Sequence, residues 1–303
     1  MTHNPYQPHL ARIVRIIPQT EDVKLFQIRF EEEGIMTNFH HLPGQFIMLS
    51  VLGTGEAPIS ISSSPTRPGI IELCVRKTGK VTNALFALKE NAIIGLRGPY
   101  GNGYFMEKIK GGSLLIIAGG IGMAPLRSLL WYSLDRRADF KEIILMYGAK
   151  NPQEMLFKDE IISLLEREDI KCLLTVDKDE TQNTEDRIQN SEFRIQKTED
   201  RRDIKSLGQW KAHVGVVTEL FNYVTLDPKS TYAAVCGPPI MYQFVLQELV
   251  QQGFAKDRIM MSLERRMQCG IGKCLHCSVG HKYTCLDGPI FTYWDVLNMP
   301  EVV

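Results

Sequence analysis

The sequence predicts a β plus α/β protein: an N-terminal antiparallel β-barrel, a central domain on a parallel sheet, and a small C-terminal metal-binding module. Three observations predict it. Short alternating apolar runs broken by Gly and Pro fill the first third of the chain, as in a small barrel. At Gly112 the pattern changes to apolar strands separated by helices, which calls for a parallel sheet with crossovers. Near the end, Cys269-Gly270-Ile271-Gly272-Lys273-Cys274-Leu275-His276-Cys277 is followed by Cys285, a C-x4-C-x2-C-x7-C pattern. The expected boundaries are 1–110, 111–256 and 257–303.

In the barrel region, strands are expected over Val23–Phe30, Gln45–Val51, Ile59–Ser62, Ile71–Arg76 and Ala92–Leu96. One helix interrupts them, opened by Thr78-Gly79-Lys80-Val81-Thr82 and continuing to Leu88. Beyond Gly112, Ser113–Ala118 reads as a buried strand, followed by a glycine turn and a helix over Ala124–Leu134. Strands over Glu142–Tyr147, Lys171–Val176 and Thr231–Cys236 alternate with helices over Asp159–Glu166, Val217–Tyr223 and Ile240–Gln252. The stretch 179–206 breaks the rhythm. It is charged and polar and repeats itself (Thr184-Glu185-Asp186-Arg187, then Thr198-Glu199-Asp200-Arg201), so it reads as a solvated insertion, with a partner-docking arm as the lesser alternative.

Four thiolates in one short segment converge naturally on one metal centre. The C-x4-C-x2-C opening with a later fourth cysteine is the plant-type spacing for a [2Fe-2S] cluster, with Cys269, Cys274, Cys277 and Cys285 as ligands. Gly270 and Gly272 permit the tight backbone and inward N–H groups that such a loop needs. A structural zinc site normally uses two short knuckles kept apart by a spacer, and stands as the alternative. A disulfide framework ranks behind both.

Lys+Arg and Asp+Glu balance at 35 each in 303 residues, so nothing in the charge argues for nucleic acid. Seven cysteines without a secretory leader point to a reducing, cytoplasmic setting. The apolar span Ser113–Leu134 has the length of a membrane helix, but Gly119, Gly120, Gly122, Pro125 and Arg127 interrupt it. No membrane span is expected.

Three further stretches suggest ligand binding. Gly119-Gly120-Ile121-Gly122-Met123-Ala124 lies between a strand and a helix, where glycines let a pyrophosphate approach backbone N–H groups at the helix start. Cys236-Gly237-Pro238 also follows a buried strand, and so falls on the same carboxyl edge, where open α/β sheets bind ligands. Thr78–Asn83 offers donors at another helix start, with simple N-capping by Thr78 or Thr82 as the plainer reading.

The order of barrel, Gly-Gly-x-Gly-x-Ala-Pro and Cys-Gly-Pro-Pro resembles the ferredoxin–NADP reductase family. The cysteine tail narrows the resemblance to electron-transfer subunits like those of dihydroorotate dehydrogenase, anaerobic sulfite reductase and cytoplasmic NiFe (sulf)hydrogenase. The resemblance implies FAD, NAD(P)H and a [2Fe-2S] cluster as cofactors. It implies catalytic subunits of a larger redox complex as partners, of hydrogenase, sulfite reductase, heterodisulfide reductase or dihydroorotate dehydrogenase type. It further implies that Pro58-Ile59-Ser60 lines the flavin ring, that Cys74-Val75-Arg76 runs along the flavin, and that Val81-Thr82 binds its pyrophosphate. Gly119 to Ala124 and Cys236-Gly237-Pro238 would take the nicotinamide nucleotide. The family often has Arg-x-Tyr-Ser where this chain has Ala57-Pro58-Ile59-Ser60, which removes a stacking tyrosine and a phosphate-binding arginine; Arg76 is the nearest substitute. Electrons would pass as hydride to flavin and singly to the cluster, with no side chain needed as acid or base. The alternatives are a stand-alone NAD(P)H:flavin reductase with a structural zinc tail, or a non-catalytic flavin and iron–sulfur redox sensor.

Overall fold

The computed structural model describes residues 4–177, 204–207 and 210–299. The first third comprises β1 (His9–Pro18), β2 (Val23–Phe30), α1 (Glu33–Asn38), β3 (Phe46–Val51), β4 (Gly55–Ser60), β5 (Ile71–Arg76), α2 (Lys80–Ala87) and β6 (Ile93–Tyr100). Its strands pair antiparallel in the order β4-β3-β6-β1-β2-β5. A bridge between Ile61 and Leu73 draws the two edges together, and the sheet closes on itself as a barrel. Alternation sends Ala11, Ile13, Phe26, Ile28, Ile47 and Leu49 into one core, where each large side chain contributes about 1.5–3 kcal/mol on burial.

The strand expected over 59–62 instead runs Gly55–Ser60. Glu56 and Pro58 interrupt its apolar pattern, and none of its residues is fully buried. It lies at one end of the strand order, and its residues stay exposed or half-buried.

The chain continues through α3 (Met106–Ile109), β7 (Ser113–Gly119), α4 (Met123–Asp135), β8 (Ile143–Ala149), α5 (Lys158–Leu165) and β9 (Lys171–Val176). Then come β10 (Ile204–Leu207), β11 (Trp210–Val214), β12 (Thr231–Cys236), α6 (Pro239–Gln251) and β13 (Ile259–Ser262). The final residues supply β14 (Ser278–Val279), β15 (Lys282–Tyr283), β16 (Ile290–Thr292) and α7 (Tyr293–Leu297). One sheet holds eight strands in the order β10-β11-β9-β8-β7-β12-β13-β16, parallel from β11 to β13 and antiparallel at each end. The apolar span 113–134 divides into β7 and α4. Among the described residues no helix is long and apolar enough to cross a membrane.

Two expectations change. Val217–Tyr223 is helical as expected, but in the tighter 3-10 form, in keeping with the stiff β-branched run Val216-Val217-Thr218 at its start. Of the polar insertion 179–206, most lies outside the described residues. Its last three, 204–206, belong to β10 and pair with β11, so the sheet extends into a stretch expected to be solvated.

The barrel and the α/β unit are joined by a buried polar seam. Arg127 on α4, only 6% exposed, donates to Ser62 O at 2.9 Å and Glu72 Oε2 at 2.6 Å, both from the barrel, and is held from behind by Glu160. Ser128 Oγ donates to Ser63 O at 2.7 Å. Asp135, at the end of α4, accepts from Thr66 and in bidentate fashion from Arg67.

Candidate functional site

From β7 the chain fills β8 and β9 on one side, then returns to lay β12 on the other. That reversal is a topological switch point, the crevice where such sheets bind ligands. Register places Ala118 opposite Cys236 and Gly119 opposite Gly148 at the carboxyl edge. A Cβ on Gly122 would lie 2.2 Å from Cys236 O and 2.8 Å from Gly237 N, so the two turns expected to bind a nucleotide touch through their backbones. A Cβ on Gly119 would meet Met241 Sδ at 2.5 Å, and one on Gly237 would meet Met241 Cε at 2.4 Å.

Gly120 differs. Its φ is +52° and a Cβ there would meet nothing within 4 Å. Tyr147 Oη donates to the Gly120 carbonyl at 3.2 Å and accepts from Leu156 N–H at 2.9 Å, fixing the turn from below. Met123 and Ala124 bury their side chains and Ile121 is half-buried. What this turn offers outward is therefore backbone, at the positive start of α4. Burial pushes the Cys236 thiol up to about 12, so it remains neutral. Pro238 lies just outside α6, with Pro239 as its first residue.

On the barrel, Pro58, Ile59 and Ser60 pair with Met48, Ile47 and Phe46 and remain half-buried. Val81, at the start of α2, lies 3.5 Å from the Cβ position of Gly55, which brings that helix end against the start of β4. Thr82 does not present a free hydroxyl: Thr82 Oγ1 accepts from the N–H groups of Thr78 (3.0 Å) and Gly79 (2.9 Å). The N-cap is Gly79, not Thr78. Any phosphate here must use the N–H groups of the first helical turn. Cys74 turns its side chain toward the α/β core while Val75 fills the barrel, so β5 offers its backbone edge rather than those side chains. Burial likewise raises the Cys74 thiol to about 12. Arg76 pairs with Asp22 at 3.2 Å.

The four cysteines of the tail come together. Cys269 Sγ accepts from the N–H groups of Ile271 (3.4 Å), Lys273 (3.3 Å) and Cys274 (3.4 Å), and Cys285 Sγ accepts from Gly272 N–H (3.1 Å). Backbone donors aimed at sulfur are what a cluster's thiolates require. Gly270 and Gly272 both have φ +73°, and a Cβ on Gly272 would lie 2.2 Å from Leu286 Cδ1. Cys277 and Cys285 pack with Phe46, Met48 and Met267, seating the loop on the barrel. Among the described residues no three His, Cys, Asp or Glu side chains converge as ligands of a single ion. A two-iron cluster spreads its thiolates over two metal positions and needs no such point.

Comparison with known proteins then decides the kinship. The chain is 43% identical over 299 residues to sulfhydrogenase 2 subunit gamma of Pyrococcus furiosus, covering 97% of this chain and 98% of that one. It is 32% identical to a probable dihydroorotate dehydrogenase B electron transfer subunit of the same organism, over 84% of this chain and 81% of the other. This chain belongs to that family of electron-transfer subunits. Family models agree in order: an oxidoreductase FAD-binding domain over 11–105, an oxidoreductase NAD-binding domain over 116–247, and the iron–sulfur cluster binding domain of dihydroorotate dehydrogenase B over 264–297. Among solved structures, an NADH-dependent reduced ferredoxin–NADP oxidoreductase shares the fold with a TM-score of 0.68 at 23% identity, covering 99% of this chain and 94% of that one.

In this electron-transfer subunit, one feature escaped the sequence reading. Arg97 on β6 is 3% exposed, makes a bidentate pair with Glu56 on β4, and donates to the carbonyl of Cys269 at 3.1 Å. A charged residue directly after the apolar run Ile93-Ile94-Gly95-Leu96 was the available signal.

Proposed function

We propose that this chain is the electron-transfer subunit of a cytoplasmic redox complex, moving electrons between NAD(P)H and a partner catalytic subunit. The proposed modules are a FAD-binding barrel (1–110), an NAD(P)-binding α/β domain (111–256) and a [2Fe-2S] module (257–303). The observation that carries the reading is the seating of the cysteine loop. Its thiols receive backbone donors, and it packs directly on the barrel through Phe46 and Met48 of β3, the strand that pairs with β4.

Bound flavin accepts a hydride as an electron pair and gives up electrons singly, and a [2Fe-2S] cluster carries one at a time. The protein's residues bind and orient. The backbone from Gly119 to Ala124 takes the nicotinamide nucleotide's pyrophosphate, with Cys236, Gly237 and Pro238 shaping the other wall. Pro58, Ile59 and Ser60 line the flavin ring, the edge formed by Cys74, Val75 and Arg76 runs beside it, and the turn at Val81 and Thr82 holds its pyrophosphate through backbone N–H groups. Cys269, Cys274, Cys277 and Cys285 ligate the cluster. The partner is a hydrogenase-type catalytic subunit, since likeness to the sulfhydrogenase subunit is higher and covers more of the chain than likeness to the dihydroorotate dehydrogenase subunit.

The test is anaerobic purification of the full chain. Two irons and two acid-labile sulfides per chain, bound FAD, and bleaching of the flavin band by NADH or NADPH are expected. One zinc and no iron would replace this reading with the zinc-tailed flavin reductase. A flavin that neither nucleotide bleaches would replace it with the redox sensor.

A further inference from the structure

Burying an arginine in a barrel wall is costly, and a Met of similar volume would pack there without a charge to neutralise. Arg97 is nonetheless fully engaged. Its Nε and Nη2 donate to the Glu56 carboxylate at 2.9 and 2.6 Å, and Nη1 donates to Pro5 O (3.0 Å), Tyr100 Oη (3.2 Å) and Cys269 O (3.1 Å). The rings of Tyr6 and Tyr100 stand 5.9 and 5.7 Å from the guanidinium. Glu56 also accepts from Ser50 Oγ at 2.6 Å.

The arrangement has a direction. The cation rests on the backbone of the first cluster ligand, and the carboxylate lies on the far side of the cation. Burial would raise the Glu56 carboxyl, but hydrogen bonds from Arg97 and Ser50 hold it below its ordinary value. Both charges are therefore present at neutral pH. Arg97 bonds Cys269 directly and both residues are buried, so the pair's field reaches the cysteine loop with weak screening.

Resting on the [2Fe-2S] reading above, we propose that the Glu56–Arg97 pair sets the reduction potential of the cluster held by Cys269, Arg97 raising it and Glu56 lowering it. In that couple one ferric iron becomes ferrous, the electron comes from NAD(P)H by way of the flavin, and no bond forms or breaks. The added negative charge is stabilised by the nearer cation and opposed by the more distant carboxylate. Because Glu56 stands two residues before Pro58 on the strand beside the flavin, the same pair ties donor to acceptor.

The experiment is a redox titration of the full chain, following the reduced cluster by electron paramagnetic resonance, on wild type, Glu56→Gln, Arg97→Lys and Arg97→Met. Glu56→Gln should shift the midpoint upward, Arg97→Met downward, and Arg97→Lys should stay near wild type. Opposite signs from two partners of one contact are not what a purely structural link produces. If Arg97→Met sheds its iron, Glu56→Gln, which keeps the cation, decides the matter alone. An unmoved or lowered midpoint in Glu56→Gln, with iron and sulfide at wild-type content, overturns the proposal. Wild-type protein lacking iron and sulfide would defeat the cluster reading beneath it, a distinct failure.

Discussion

Gly120 and Gly122 stand two positions apart in one turn and answer to different constraints. Gly122 is excluded from carrying a side chain by the backbone of Cys236, whereas Gly120 faces open space with a left-handed φ of +52°. Gly120→Ala should therefore fold, at a cost of about 1 kcal/mol for the left-handed residue, while its methyl enters the volume assigned to pyrophosphate. We expect KM for NAD(P)H to rise about tenfold, equivalent to about 1.4 kcal/mol, with flavin content unchanged. Steady-state kinetics showing wild-type KM would mean the turn is only a connector. Gly122→Ala should act on stability instead, pressing β7 against β12. Overpacking of this kind costs about 1–3 kcal/mol, so the thermal midpoint should fall by about 5 °C. Both glycines stood out in the sequence, but their division of labour did not, because it depends on which backbone lies opposite. Thr82 shows the same limit: its hydroxyl looked available to phosphate, and the structure spends it on Thr78 and Gly79.

Among the elements, α4 carries the most consequence. Its first residues follow the glycine turn proposed to bind nucleotide, and its next turn holds the barrel through Arg127 and Ser128, which reach Ser62, Ser63 and Glu72 just past β4. Arg127→Met would leave Glu72 and Glu160 facing each other without their shared cation. A loss of about 3 kcal/mol is expected, read as a lower urea midpoint; an unchanged midpoint would show that the seam is not structural. At the far end of α4, burial acts to raise the Asp135 carboxyl, but hydrogen bonds from Arg67 and Thr66 outweigh it and hold it below its ordinary 3.8. A depressed folded value means that ionised Asp135 contributes stability above pH 3.8, and that this is lost as pH falls through the folded value. The stability difference between wild type and Asp135→Asn should thus be constant from neutral pH downward and shrink only below pH 3.8. A difference that fades near pH 6 would assign it to another group. Long periodic elements such as β2, β5, β9 and β12 were legible to the residue. β4 was displaced because Glu56 and Pro58 mask its alternation. The 3-10 segment and the short strands β13 and β16 had too few residues to show a period, and depend on sheet neighbours for their form.

For the molecule as a whole, the sequence announced three chemistries in order but not how they adjoin. Spacing alone located the four thiols; only the fold shows the cysteine loop seated on the barrel and joined through Arg97 to Glu56 on β4. The contacts across that junction link residues such as Arg97 and Cys269 that are remote in sequence, and no local pattern encodes them. On the proposed assignments electrons pass from the nucleotide to the flavin and on to the cysteine loop, with the partner served last. Cys285 tests that route. It is the proposed ligand from outside the tight loop, and its sulfur receives the Gly272 N–H. Cys285→Ser exchanges a soft thiolate for a harder, far less acidic hydroxyl and should strip or weaken the cluster. The proposed flavin and nucleotide sites lie in the barrel and the α/β sheet, so NAD(P)H should still reduce ferricyanide through the flavin. Electron delivery to the catalytic subunit should fall at least tenfold, a loss of about 1.4 kcal/mol or more in transition-state stabilisation. Iron analysis must accompany the assay. If a variant without iron supports partner-linked turnover at the wild-type rate, the flavin meets the partner directly and the four cysteines serve only to shape the tail.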